Sequence, residues 1–204
     1  MNRQFLLIAF FLIGAASMII MSFQYFTIPN SGILEGKAFK SALWYKAAFL
    51  VHIALGIVAI LLGPFQLWKP LMENRRKTHR LLGYIYSVAV LISSITGLVI
   101  AQFAMGGLVT QVGFSILALL WFTSLTLALN HIVQGRVQDH QFWMNINYAL
   151  TFAAITQRTM LLLAFIPTWR FMPIYQLSAW LPWMINLSIV LLLARAKSMV
   201  AEAN

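Results

Sequence analysis

Six apolar runs, each long enough to cross a lipid bilayer, constrain this chain more than any motif it carries. They are Phe5–Tyr25, Trp44–Leu67, Leu81–Met105, Val109–Leu129, Phe142–Phe165 and Leu177–Ala194. About 20 residues at a rise of ~1.5 Å cover the ~30 Å hydrocarbon core of a membrane. That core holds no water to satisfy backbone amides and carbonyls, so each run is expected to be a helix. The expectation is an all-α integral membrane protein: a six-helix bundle in one transmembrane domain over residues 1–204, in contact with the lipid bilayer. With 61% hydrophobic and 9% charged residues among 204, no stretch is left for a separate soluble domain. Phe5–Tyr25 follows Arg3 as a signal sequence would. It is longer than the usual signal core and lacks a well-placed small-x-small cleavage site, so it reads as a retained helix.

Punctuation agrees with these spans. Pro29, Asn30, Gly32 and Gly36 follow the first, Gly106 and Gly107 the third, and Pro167 and Pro173 precede the last. The net charge of +10 is scattered through short loops and forms no basic face, which argues against nucleic acid as a partner. Arg3, Lys69, Arg75, Arg76, Lys77, Arg80, Arg136, Arg195 and Lys197 fall on one side, and Lys37, Lys40, Lys46 and Arg170 on the other. Cationic flanks of short loops stay in the cytoplasm, so both termini of a multi-pass protein are expected inside. Trp44, Trp180 and Trp183 near outer boundaries, and Trp68 and Trp143 near inner ones, suit an aromatic belt. Cysteine is absent, which removes disulfides, thiolate nucleophiles and cysteine-ligated clusters.

Polar residues inside membrane helices are costly and usually face the bundle interior, so they mark where chemistry is to be sought. On the second span His52, Gly56 and Gly63 share one helical stripe. On the third, His79, Gly83, Ser87, Ser94, Gly97 and Ala101 do the same. On the fifth, His140, Met144, Asn147, Thr151, Ala154 and Arg158 run at steps of four and three. That face extends ~27 Å at helical rise, nearly the whole hydrocarbon thickness. Arg158 keeps its proton and needs a polar or anionic partner, or must snorkel to the interface. Glu35, Glu73, Asp139 and Glu202 all lie outside the spans, which counts against carboxylate-based proton or sodium coupling. Each of these residues also has a plainer role. A buried histidine can be hydrogen-bonded core, and glycine and serine stripes can serve close helix packing. His131 reads as a loop residue and the run Glu73–Arg80 as a positive-inside anchor.

Gly63-Pro64-Phe65-Gln66, the basic loop after it, His79-Arg80 with Gly83 and Tyr86, Asp139-His140 with Trp143-Met144, and Thr156 with Arg158 form a recognisable set. Together they resemble a bacterial family of predicted membrane proteins of unknown function, over roughly His52 to Arg158. The resemblance implies an architecture and positions to test: His52, Gln66, His79, Arg80, His140, Trp143 and Arg158. Asn145 and Asn147 stand where that family often has an arginine after the Trp-Met pair. A looser likeness is to the six-helix ascorbate-reducible b-type cytochromes, carried by six spans, similar length and the His-x-x-x-Gly starts at His52 and His79. It implies haem b held between His79 and His140 as axial ligands near the inner face. His52 has no histidine at its depth on the fourth or sixth span, so one haem, or none, is the consistent reading rather than two.

The leading expectation is therefore a haem- or quinone-associated membrane redox protein engaged in electron transfer. His79 and His140 are its candidate iron ligands. His52 and Arg158 would form an outer polar site for an anionic or quinone-like group, with Asn147 and Thr151 on the same fifth-span face. Two alternatives stand beside it: a small-solute or lipid transporter with the fifth-span stripe as its pathway, and a structural or assembly subunit that binds another membrane protein.

Overall fold

The computed structural model describes residues 3–28, 42–166, 168 and 170–202. Among these the chain is helical, with no strand. Its elements are α1 (Arg3–Thr27), α2 (Leu43–Gln66), α3 (Lys69–Asn74), α4 (Arg76–Ala101), α5 (Leu108–Val133), α6 (Val137–Leu161), α7 (Phe171–Ser178) and α8 (Leu181–Glu202). A 3-10 turn over Leu162–Phe165 extends α6. Six segments are long and apolar enough to cross a membrane, as expected: Ile8–Thr27, Leu43–Gln66, Arg76–Ala101, Leu108–Val133, Val137–Phe165 and Phe171–Met199. Pro29, Asn30, Gly32, Glu35, Gly36, Lys37, Lys40 and Pro167, singled out in the sequence, lie outside the described residues.

Two segments differ from the sequence expectation. The third membrane helix begins at Arg76 rather than Leu81, so the basic residues Arg76, Lys77 and Arg80 form its first turn. The sixth span is not one helix: α7 ends at Ser178 and α8 starts at Leu181. Pro182 explains the break, because it has no amide hydrogen to give the Ser178 carbonyl and its fixed φ suits the first turn of a new helix.

The chain divides into two compact units, Met1–Ile100 and Ala101–Asn204. In the first, α1 packs on α2. Ala15, Met18 and Ser22 form a buried stripe on α1 at helical spacing. The Tyr25 ring meets Phe49 edge-on at 5.2 Å. The membrane helix α4 is arranged for lipid rather than water: Leu81, Tyr84, Ile85, Val88, Ile92, Ile95 and Val99 are exposed, while Tyr86, Ala89, Ser93 and Ser94 are buried. Large apolar side chains cost nothing against acyl chains, and small or polar ones suit helix contacts.

In the second unit α6 is packed by both α5 and α8. The run Ile146–Thr151 is buried all round, as befits a central helix. Gly106 and Gly107, at φ 86° and 72°, take a left-handed turn ahead of α5 that side chains disfavour. The break between α7 and α8 is fastened to this turn. Gln176 Nε2 donates to the Gly106 carbonyl at 3.0 Å and Trp180 Nε1 to the Val109 carbonyl at 2.9 Å.

Candidate functional site

In the first unit His52 faces Ser93 and Gly97 of α4. Its Nδ1 lies 2.8 Å from the Ser93 carbonyl, and the Ser93 hydroxyl gives its one hydrogen to the His52 carbonyl at 2.9 Å. A carbonyl cannot donate, so Nδ1 must carry the ring hydrogen, with Ser93 Oγ at 3.2 Å as a second acceptor. The neutral ring then bears its lone pair on Nε2. Gly97 lies directly beneath the ring, and the other end of the same helix pair shows a similar fit. The buried Gln66 amide lies over Gly83, whose Cβ would come 3.2 Å from Oε1, and Nε2 comes within 3.5 Å of the His79 main-chain carbonyl. His79 itself is half-buried in the first turn of α4.

In the second unit His140, in the first turn of α6, places Nδ1 2.9 Å from the carbonyl of Ala128 on α5. The same reasoning assigns the hydrogen to Nδ1 and the lone pair to Nε2. Imidazole fixed by Nδ1–H to a backbone carbonyl is the arrangement in which protein histidines ligate a metal through Nε2. One residue away, Asp139 Oδ2 lies 3.4 Å from His131 Nδ1 and 4.0 Å from Arg136 Nη1. His131, expected in a loop, instead lies in the last turn of α5 and faces Asp139 across the α5–α6 connection.

Further along α6, Asn147 and Thr151 join α5. The Asn147 amide is fully buried and donates to the Trp121 carbonyl and to Ser124 Oγ, both at 2.8 Å. Trp121 Nε1 donates to Thr151 Oγ1 at 2.8 Å, and that hydroxyl donates to the Asn147 carbonyl at 2.9 Å. These groups satisfy one another where water is absent. On the opposite side Asn186 of α8 donates to the Ala149 carbonyl at 3.1 Å and lies 3.2 Å from Thr156 Oγ1. Arg158 turns back along α6, with Nη1 3.3 Å from the Ala154 carbonyl and 3.5 Å from Gln157 Oε1.

The stripe read on the fifth span is therefore divided among several neighbours. His140, Asn147 and Thr151 all meet α5, while Arg158 contacts its own helix. His52 and His79 belong to the first unit; His140, Asn147, Thr151 and Arg158 belong to the second. Among the described residues no three of His, Asp or Glu come together as metal ligands. A haem asks less of the protein, since its porphyrin supplies four donors and the chain only the axial ones. Sequence reasoning missed Ser93, Trp121, Ser124, Asn186 and the Ala128 carbonyl. It chose Ser94, whose hydroxyl bonds the Leu91 carbonyl of its own helix at 2.9 Å.

A family model described as "Predicted membrane protein (DUF2306)" matches residues 49–194. Neither the curated proteins nor the solved structures provide a match.

Proposed function

Because the chain belongs to this predicted membrane protein family, which has no assigned activity, we propose a function from its own residues: a multi-pass redox protein of a bacterial inner membrane that ligates haem b through histidine Nε2. The observation that carries the reading is the 2.9 Å contact from His140 Nδ1 to the Ala128 carbonyl. It leaves the Nε2 lone pair, on a ring held between two helices, as the donor that iron accepts. Haem, when bound, would supply one-electron transfer; the chain's part is to fix the imidazole tautomer. Both termini are read as cytoplasmic, which puts His140 toward the inner face.

His52 has the same tautomer, its ring hydrogen held by the Ser93 carbonyl. Asn147 and Thr151 serve the contact between α5 and α6, so the transport reading loses two residues of its pathway. The test is haem content and an absorption spectrum of the full chain, purified in mild detergent after expression with ample haem. Reducible Soret and α bands are expected, and His140→Ala should diminish them. Their absence from the intact protein would remove the haem reading.

A further inference from the structure

Four cations, Arg75, Arg76, Lys77 and Arg80, crowd the start of α4, and all are exposed. The first turn of that helix contains no acidic residue. Among the described residues the ion pairs lie elsewhere, at His131, Arg136 and Asp139. Arg76 and Arg80 are four apart and Lys77 and Arg80 three apart, which brings Cβ atoms to about 5–6 Å on one face. Like charges at that spacing repel, and cations at a helix N-terminus also oppose the positive end of its dipole. The cluster is thus electrostatically unfavourable by itself and becomes favourable when an anion sits against it.

A second observation says what kind of anion. The lipid-facing stripe of α4 begins directly above the cluster: Leu81, Tyr84, Val88 and Ile92 are large, exposed and spaced three or four apart. From Leu81 to Ile92 the helix rises roughly 16 Å, about the hydrocarbon depth of one leaflet. Charge and apolar surface therefore follow one another along one helix in the order in which a phospholipid presents headgroup and chain. We propose that this face holds an anionic phospholipid, its phosphate against Arg76, Lys77 and Arg80 and an acyl chain along Leu81, Tyr84 and Val88. A zwitterionic lipid brings no net charge and leaves the cluster uncompensated. This inference is independent of haem.

The experiment is native mass spectrometry of the full chain in a mild non-ionic detergent, with equimolar phosphatidylglycerol and phosphatidylcholine of identical acyl chains. Retention of phosphatidylglycerol is expected to exceed that of phosphatidylcholine on the order of tenfold. R76Q/K77Q/R80Q should bring the ratio close to unity, whereas R195Q/K197Q should leave it unchanged. Millimolar inorganic phosphate should not displace the lipid, since it lacks the chain. Equal retention by the native protein, an unchanged ratio in R76Q/K77Q/R80Q, or displacement by phosphate each overturns the proposal. Should the triple variant fail to fold, Arg80→Gln alone decides, with an expected fall in the ratio of about twofold.

Discussion

The imidazole of His52 occupies the space that a methyl group on Gly97 would need: a Cβ there would stand 2.9 Å from Cε1 and 3.0 Å from Nδ1. The ring is also held at Nδ1 by the Ser93 carbonyl, so it cannot retreat without losing that hydrogen bond. Gly97→Ala is therefore expected to destabilise the protein by about 1–3 kcal/mol through overpacking. Gly56→Ala is the control, because its Cβ would meet Ser93 Oγ at an ordinary 3.6 Å while gaining helix propensity. Thermal unfolding in detergent, followed by circular dichroism, should separate the two variants. Equal melting temperatures would show that His52 does not depend on a bare backbone at Gly97.

Gly113 presents a harder obstacle. A Cβ there would lie 2.8 Å from the Ala179 carbonyl oxygen and 2.8 Å from Trp180 Nε1. Backbone cannot swing aside as a side chain can, so Gly113→Ala must loosen the α7–α8 break from α5. Trp180→Phe removes the hydrogen bond to the Val109 carbonyl and part of the indole's contact with Trp183, at a cost of about 1–2 kcal/mol. Gly113→Ala should unfold at the lower temperature of the two, and the reverse order would contradict the packing described.

Asn147 sits at the centre of the α5–α6 network. Asn147→Ala leaves both the Trp121 carbonyl and Ser124 Oγ without its amide, and a loss of about 1–2 kcal/mol is expected. Ser124→Ala keeps the bond from Asn147 to the Trp121 carbonyl and should cost less. Chemical unfolding of the two variants and their double mutant measures the coupling. A Ser124→Ala loss equal to that of Asn147→Ala would place the strength elsewhere.

How far the sequence could be read follows from which properties are local. Span positions are local, since a run of apolar residues reports its own solvent, and the six helices lie close to where hydropathy puts them. The α6 stripe was also legible, because helical spacing alone aligns His140, Asn147, Thr151 and Arg158. What each residue faces depends on the neighbour, and a step of one residue turns a side chain by about 100°. Ser93 and Ser94 show the consequence: both are buried, yet only Ser93 reaches His52. Trp121 and Ser124 carried no visible polar pattern within an apolar run, and they emerge only once α5 is laid against α6. The break before Leu181 was signalled by Pro182 but outweighed by the surrounding hydropathy.

The central claim is that His140, its tautomer set by Ala128, presents Nε2 to haem iron. The most direct measurement is the reduced-minus-oxidised absorption spectrum of the native chain, His140→Ala and His131→Ala, purified side by side from cells supplied with haem. Sharp reduced α and Soret bands are predicted for the native protein and for His131→Ala, with their loss or conversion to a five-coordinate spectrum in His140→Ala. Identical native and His140→Ala spectra, or no haem bands in the native protein, would contradict the assignment.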